Sequence, residues 1–341
     1  MQTKVNAGRL FSCAYFPQKK VENRSKSLTE IDTSGDLFDT RVLKAINHHH
    51  GGRLMKKTGL LASLLAALAI SAAPAAQSQE LYWATSGFFG PFNIQGLIPT
   101  YPKAKDITIP VSMWILKHPK GIVVFDTGNN AAISDGADNC KKYWAAGTCD
   151  FFKPSQKRSD VIDQQLAKLG IKVDDVKVVV SSHTHLDHSG NIALFPKAVH
   201  VYQKKELYQG YWPEKFQGRA ANGTFVLNDL VSARDYDFYE LDGDYDLFGD
   251  GSVKIISTPG HTIGHQSMKF KLGSGQTIIV SQDAIWMQEN LDGYAAGLNF
   301  SIQAYTNSLE KLKRMRDLEG AKLLMAHDAG QFQSMGNKWF K

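Results

Sequence analysis

The sequence has little of what would mark a fibrous, disordered or membrane-embedded chain. Of its 341 residues, 29 are glycine and 11 are proline, which is too few for a collagen-like repeat. Hydrophobic residues make up 43% and charged residues 21%, an ordinary globular composition that excludes a disordered tail and a multi-span membrane protein. Low-complexity stretches and repeats of about 20–50 residues are also absent. The length suits one large domain or two ordinary ones.

The body of the chain also lacks net charge. The formal net charge is +6, but Lys and Arg exceed Asp and Glu by four in residues 1–54, and Lys56 and Lys57 add two more with no acid in residues 55–77. Residues 78–341 are therefore neutral overall. A neutral body gives no electrostatic reason to expect a nucleic acid as partner.

Apolar runs long enough to span a membrane are absent. One shorter apolar segment stands out in residues 55–78. That segment begins with Met55-Lys56-Lys57, continues with an apolar run from Leu60 to Ile70, and reaches the small residues Ala73-Pro74-Ala75. This order is typical of a secretory signal peptide. A membrane anchor is the alternative, but a spanning helix needs roughly 20 apolar residues. We expect a periplasmic or secreted protein with no stable membrane insertion after signal removal.

The signal pattern begins at residue 55 rather than at residue 1. Residues 1–54 show weak periodicity, scattered charge and an isolated His48-His49-His50 run. We interpret them as a translated upstream leader that is disordered and not native, with Met55 as the true start. One globular domain is then expected over residues 79–341.

Apolar runs and turn signals predict mostly strands, with helices between some of them. The runs Ile109–Leu116 and Ile122–Phe125 are split by Lys120-Gly121, which favours a hairpin. Apolar stripes that end at Gly170 and Gly320 predict two helices. Further strands are predicted over residues 176–180, 198–202, 253–256, 267–272, 277–280 and 323–326. The expected class is α/β or α+β, with two sheets flanked by helices.

Ligand-type side chains are concentrated in His183-Thr184-His185-Leu186-Asp187-His188, directly after the predicted strand 176–180. Loops at the carboxyl ends of strands commonly carry the chemistry of an α/β sheet. Imidazole and carboxylate groups are the usual non-sulfur ligands of zinc. The stretch therefore predicts a metal site, with a polar surface loop as the alternative.

Three more candidates, His261, Asp283 and His327, also follow predicted strands. A single His after a strand is usually structural, but its repetition beside the first cluster favours a ligand role. His265 opens a strand and is expected either to support a ligand or to lie in the core. His118 and His200 have no such neighbours and are expected in the surface or the core.

The order HTHLDH, TPGHTIGHQS, an Asp after a strand and a late His resembles the metallo-β-lactamase superfamily over roughly residues 80–341. Within it the sequence is most similar to the N-acyl homoserine lactonases, with support from residues 109–111 and 121–128. The resemblance implies a four-layer αββα sandwich and two zinc ions per chain. One zinc would be held by His183, His185 and His261, the other by Asp187, His188 and His327, and Asp283 would bridge both. Asp126 resembles a carboxylate that steadies ligand histidines, and a turn residue is the alternative.

The chemistry that such ligands support is hydrolysis of a small-molecule lactone. Two zinc ions about 3.5–4 Å apart can share a hydroxide and polarise a carbonyl, and Asp187 is placed by resemblance to pass a proton to the leaving oxygen. Asp187 and Asp283 are thus the candidate catalytic residues. A GxSxG nucleophile motif is absent. The alternatives are another hydrolase of the superfamily, acting on other lactones, β-lactams or organophosphate esters, or a non-catalytic binding protein. The oligomeric state is not indicated.

Aromatic residues supply the candidate substrate contacts. Trp286 stands where the related lactonases often carry a Tyr, and we interpret it as a pocket wall. Phe88, Phe89 and Phe92 are flanked by Gly and Pro, which predicts a loop. With Leu97 and Ile98 they are expected to contact an acyl chain, although core packing is the alternative for each.

Cysteine is scarce: the chain has three. Cys13 falls in the leader, which leaves Cys140 and Cys149 in the body. An even pair in an oxidising compartment predicts a disulfide, and two buried free thiols are the alternative.

Overall fold

The computed structural model describes residues 79–212 and 224–341. The leader and signal peptide expected over residues 1–54 and 55–78 lie outside the described residues. The strands are Glu80–Asn93 (β1), Asp106–His118 (β2), Gly121–Phe125 (β3), Val176–Val180 (β4), Val199–Gln203 (β5), Phe238–Leu241 (β6), Tyr245–Asp246 (β7), Val253–Ser257 (β8), Gln266–Lys271 (β9), Thr277–Val280 (β10), Lys322–Leu324 (β11) and Trp339–Phe340 (β12). The α-helices are Ala137–Tyr143 (α1), Ala146–Phe152 (α2), Ile162–Lys168 (α3), Lys204–Tyr211 (α4), Leu227–Val231 (α5), Gln288–Leu291 (α6), Ile302–Glu319 (α7) and Ala329–Met335 (α8).

The strands form two sheets. The larger has the order β12-β1-β2-β3-β4-β5-β6 and the smaller β11-β10-β9-β8-β7. The predicted hairpin is confirmed, since β2 and β3 are antiparallel with Trp114 opposite Phe125. From β3 to β6 the strands run parallel, so their carboxyl ends meet at one edge of the sheet.

Side-chain alternation divides the molecule into layers. In β10, Ile278 and Val280 pack between the two sheets, whereas Ile279 faces outward against helix α7 through Leu309 and Leu312. The outer face of the larger sheet packs against helix α3 through Ile162. This period of two follows from the pleat of a strand. The result is helix, sheet, sheet, helix, so the expected αββα sandwich is confirmed.

The expectation that Phe88, Phe89 and Phe92 lie in a loop was wrong. All three belong to β1, which pairs with β2 along its length but shifts register between Thr85 and Phe88 and again between Phe89 and Phe92. The Gly and Pro residues that suggested a loop mark these bulges. Gly87 has φ +106°, and a Cβ there would collide with the carbonyl of Ser155, so glycine is required.

Helix α7 shows how local sequence sets an element's ends. Ser301 accepts a hydrogen bond from the backbone N–H of Ala304 at the first turn, which satisfies an otherwise unpaired donor. Gly320 ends the helix in the left-handed region at φ 58°, as the sequence predicted. Among the described residues, none of the helices combines the length and apolar character that crossing a membrane requires.

Candidate metal centre

The candidate ligands meet because four separate segments that carry them leave strands at the same end of the sandwich. The loop after β4 carries residues 183–188, and the segments after β8, β10 and β11 carry His261, Asp283 and His327. Asp126 directly follows β3. The structure brings all seven candidate ligands into adjoining clusters, and every one is buried to at least nine-tenths.

The first cluster consists of His183, His185 and His261. His185 Nδ1 lies 3.0 Å from His183 Nε2 and 3.0 Å from His261 Nε2. Three imidazole nitrogens thus converge on one point, which is the arrangement of a three-histidine metal site.

The second cluster consists of Asp187, His188 and His327. Asp187 Oδ2 lies 3.5 Å from His188 Nε2 and 3.7 Å from His327 Nε2. One carboxylate oxygen and two imidazole nitrogens therefore face a second common point.

Asp283 stands between the two clusters and presents one oxygen to each. Its Oδ2 lies 3.2 Å from His261 Nε2 and 3.9 Å from His183 Nε2. Its Oδ1 lies 3.3 Å from His188 Nε2 and 3.2 Å from His327 Nε2. A single carboxylate so placed can hold two metal ions at once.

The residues fit a pair of divalent metal ions. His188 Nε2 and Asp283 Oδ1 are buried and have no hydrogen-bond partner among the described residues, although buried polar atoms are ordinarily paired. Both atoms point into the convergence of ligands. Imidazole and carboxylate donors suit zinc and other first-row metals.

The electrostatics of His183 and Asp283 favour the protonation states that bind metal, whereas the carboxylates beside His188 and His327 outweigh burial and raise the pKa of these two histidines above its ordinary value. Burial, and then the neighbouring imidazoles, hold the pKa of His183 well below its ordinary value, so its ring is neutral at pH 7. Burial disfavours a charge on Asp283, but the imidazoles of His188, His327 and His261 outweigh it and lower the pKa of this carboxyl well below its usual range. A neutral imidazole and an ionised carboxylate are the ligating forms.

The ligand histidines His188, His261 and His327 are held through the ring nitrogen that faces away from the cluster. His188 Nδ1 lies 2.7 Å from Asp126 Oδ2, His261 Nδ1 lies 2.6 Å from the carbonyl of Leu298, and His327 Nδ1 lies 2.8 Å from the carbonyl of Pro110. Such contacts fix the tautomer and the orientation of the ring. Asp126 thus acts on a ligand and is more than a turn residue.

Asp126 is the centre of a buried polar network. It accepts hydrogen bonds at 2.6 Å from both the N–H and the hydroxyl of Ser182, and one from the side-chain amide of Gln282. Asp126 and Gln282 both have positive φ, at 61° and 46°. Non-glycine residues adopt this region only where their surroundings hold them there, so the network fixes the site's backbone.

His265 supports the bridging carboxylate. Its Nε2 accepts a hydrogen bond of 3.0 Å from the backbone N–H of Asp283, and its Nδ1 lies 2.9 Å from the Thr258 hydroxyl. His118 and His200 are buried outside the cluster and bond to Ser252 and to the carbonyl of Phe195.

A pocket opens beside the two clusters. Its walls are largely apolar, and its polar part consists of Thr224 and the ligands His185, Asp187, His261, Asp283 and His327. The apolar lining comprises Phe89, Leu97, Ile109, Phe152, Leu186, Trp286 and Leu298. Among the expected substrate contacts, Phe88, Phe92 and Ile98 do not line it. Phe88 turns to the core between the sheets, and Phe92 stacks on Phe151.

Trp286 lies between the two clusters as a wall. Its ring stands at 84° to His261 and at 90° to His327, with centroids 5.4 and 6.4 Å away. Its Nε1 is buried without a hydrogen-bond partner in the described part of the chain. The indole therefore meets one ligand ring of each cluster edge to face and forms part of the pocket wall beside them.

The structure joins Cys140 and Cys149 by a disulfide with an S–S distance of 2.04 Å. The bond ties α1 to α2, and α2 ends in Phe152, which reaches the pocket and packs on Phe89 with ring centroids 4.8 Å apart. The disulfide therefore closes a helical hairpin that supplies part of the pocket wall.

Sequence reasoning missed the residues that hold the ligands in place. Ser182, Gln282 and Glu206 were not singled out, because each is a polar residue without a motif of its own. The one available signal was adjacency, since Ser182 precedes His183 and Gln282 precedes Asp283. Glu206 lies in a helix and carried no signal.

Comparison with known proteins is consistent with this geometry. The model of the metallo-beta-lactamase superfamily matches residues 107–327, a range that contains all seven candidate ligands. An N-acyl homoserine lactonase, AttM of Azorhizobium caulinodans, is 32% identical over 237 residues, which cover 67% of this chain and 86% of that protein.

Solved structures show the same fold. A Bacillus thuringiensis AiiA mutant with N-decanoyl-L-homoserine bound at its active site aligns with a TM-score of 0.63 at 21% identity, covering 75% of this chain and 96% of that one. The dizinc quorum-quenching lactonase AidC, in complex with a hexanoyl homoserine product, aligns with a TM-score of 0.57 at 18% identity, covering 74% and 88%.

Proposed function

The chain belongs to the metallo-β-lactamase superfamily, and from this premise we propose that it is a dinuclear zinc hydrolase that opens the lactone ring of N-acyl homoserine lactones. The observation that carries the proposal is the bridging position of Asp283, one oxygen toward each histidine cluster, at the foot of an apolar pocket. The lactonase relatives supply the substrate class.

The pocket suits an amphipathic ester. The apolar wall that would receive an acyl chain consists of Phe89, Leu97, Ile109 and Phe152. The side of the pocket formed by the metal ligands would face the lactone ring. Burial of acyl methylene groups against such a wall contributes about 0.8 kcal/mol each. Trp286 separates the reacting end from the surrounding core.

Two metal ions held by the seven ligands would activate a water molecule and polarise the ester carbonyl. Asp187 belongs to the second cluster and also lines the pocket. Its carboxylate can take the proton that the attacking water loses and pass it to the ring oxygen when the acyl C–O bond breaks. The product is then an open-chain hydroxy acid, and no serine or cysteine nucleophile takes part.

The proposal is tested by metal analysis together with a substrate panel. Purified protein is assayed for bound metal and for turnover of N-acyl homoserine lactones, simple lactones, β-lactams and phosphotriesters. We expect two zinc-class ions per chain and the highest kcat/KM on the acylated lactones. A protein that is active without transition metal, or that prefers β-lactams or phosphotriesters, contradicts the proposal. Turnover of no ester in the panel by the metal-loaded protein would point to a binding protein.

The acyl-chain assignment has its own test. Lactones with chains of 4, 6, 8 and 10 carbons differ only in apolar length, so kcat/KM is expected to rise along the series through a falling KM. Replacement of Phe152 by Ala should flatten this rise. If the unmodified protein is indifferent to chain length, the apolar wall does not bind the acyl group.

We also propose that the protein works outside the cytoplasm. The signal-like pattern of residues 55–78 supports export. The bond between Cys140 and Cys149 supports an oxidising compartment, because disulfides are rare in reducing ones.

A further inference from the structure

Glu206 is a fully buried carboxylate whose two oxygens accept four hydrogen bonds. Oε1 accepts from the backbone N–H and the hydroxyl of Thr184, each at 2.8 Å. Oε2 accepts from the Thr262 hydroxyl at 2.7 Å and from the Gly264 N–H at 3.0 Å. The side chain is 0% exposed, and a buried charge is tolerated where its lone pairs are satisfied in this way.

The four donors come from two loops that carry the first cluster. Thr184 lies between His183 and His185, and Thr262 directly follows His261. One carboxylate on helix α4 therefore joins the two loops that carry the three ligands of the first cluster, of which the loop of residues 183–188 also carries Asp187 and His188 of the second. The histidines of the second cluster have other partners: His188 Nδ1 contacts the Asp126 carboxylate, and His327 Nδ1 contacts the carbonyl of Pro110.

Helix α4 lies too close to both loops for this connection to be incidental. A Cβ at Gly264 would lie 2.5 Å from the backbone nitrogen of Glu206, and a Cβ at Gly210 would lie 2.8 Å from the Thr184 side chain. Gln209, three residues along the same helix, accepts a hydrogen bond of 2.9 Å from the Ile263 N–H. Glycine on each side of the contact permits the approach.

We propose that Glu206 is a positioning residue that holds His183, His185 and His261 in one geometry and thereby sets the metal affinity of the first cluster, not the second. The inference rests on the proposed two-metal function. Glu206 touches neither the pocket nor any ligand side chain, and it acts through the two loops. Loss of its hydrogen bonds removes the side chain that joins the loops of the three imidazoles.

The variants form a graded series. Thr262→Val removes one hydroxyl donor and keeps the carboxylate, and Glu206→Gln removes the charge and one acceptor oxygen. Lys205→Ala is the matched control, since Lys205 is exposed on the same helix.

The measurement is stepwise zinc affinity by competition with a chromogenic chelator. We expect Glu206→Gln to weaken one of the two binding steps by roughly tenfold or more, the scale of lost outer contacts, and to leave the other within about twofold. Thr262→Val should weaken the same step less. In a His261→Ala background, which removes a first-cluster ligand, Glu206→Gln should have no further effect, whereas in a His327→Ala background it should keep its full effect.

A merely structural role predicts a different pattern. It would lower the melting temperature of the metal-free Glu206→Gln protein and weaken both zinc-binding steps alike. Excess zinc would then fail to restore kcat. If only zinc affinity is lost, excess zinc should restore kcat. Equal loss at both clusters, or no loss at either, overturns the inference while the two-metal function stands. If the unmodified protein binds fewer than two ions, the proposed function itself fails.

Discussion

Among the seven candidate ligands, Asp283 is the one whose side chain faces both clusters of the site. Its two oxygens face different clusters at 3.2 Å from His261 and 3.2 Å from His327, so its loss removes a ligand from both. We expect Asp283→Ala to lower kcat by more than roughly 100-fold, since even outer contacts of a metal site cost up to that much. Metal content per chain should fall below two.

The control for this variant is Asp292→Ala, which removes an exposed carboxylate outside the pocket. It should keep both metal ions and full turnover. An Asp283→Ala protein that retains two ions and turns over at near-normal rate would show that the carboxylate does not bridge.

Asp229 carries the clearest pH dependence of stability outside the ligand cluster. Burial raises its pKa to about 7, against hydrogen bonds from Tyr143 at 2.7 Å and Asn130 at 2.8 Å. In the unfolded chain the pKa of Asp is about 3.9. Between pH 4 and 7 the folded protein therefore holds a proton that the unfolded chain has lost, so stability falls as pH rises through this window and levels off above it.

Asp229→Asn removes this titration. The free energy of unfolding of the variant, relative to the unmodified protein, should rise by up to about 4 kcal/mol between pH 4 and 8, at about 1.4 kcal/mol per pKa unit. Urea unfolding of both metal-free proteins at several pH values measures the difference. A difference that stays constant across the range would contradict the shifted pKa.

At the scale of elements, the sequence predicted best those segments whose pattern is local. Helix α7 ends at Gly320, and the hairpin of β2 and β3 turns where Lys120-Gly121 indicated. Strand β1 was missed because its Gly and Pro residues resemble a loop until the partner strand is known. Glu206 was missed for a related reason: its role depends on contacts with Thr184 and Thr262, 22 and 56 positions away.

The disulfide-closed hairpin of α1 and α2 contributes to the pocket wall and supplies none of the candidate metal ligands. It brings Phe152 to the pocket and packs Trp144 on Phe89, whereas the ligands come from strand ends elsewhere. The double variant Cys140→Ser, Cys149→Ser should lose roughly 2–3 kcal/mol of stability by the chain-entropy model. Its KM should rise several-fold, while its zinc content stays at the level of the unmodified protein.

Lys142→Ala is the matched control for the hairpin, because Lys142 is exposed within the closed loop. Steady-state kinetics and metal analysis of the three proteins separate the two effects. Loss of zinc in the double variant, with KM unchanged, would mean that the hairpin supports the ligands and not the pocket.

For the molecule as a whole, the site is a property of the complete sandwich. The ligands follow β4, β8, β10 and β11, which belong to two different sheets. The motif at residues 183–188 predicted a metal site from sequence alone, because four of the ligands are neighbours in sequence. The pairing of each ligand with one cluster came from resemblance, since spacing alone does not fix which strand ends meet.

The last prediction concerns where the whole molecule works. If residues 55–78 are a signal peptide, a bacterium producing the full sequence should release a protein that begins between residues 76 and 79, in the periplasm, with no alkylatable thiol under non-reducing conditions. A version that starts with Met before Gln79 should stay in the cytoplasm, where glutathione keeps Cys140 and Cys149 reduced. Fractionation, N-terminal sequencing and mass spectrometry after alkylation measure the three properties. A mature protein that retains residues from 1–54 would refute both the leader and the signal, and two free thiols in the exported protein would refute the disulfide alone.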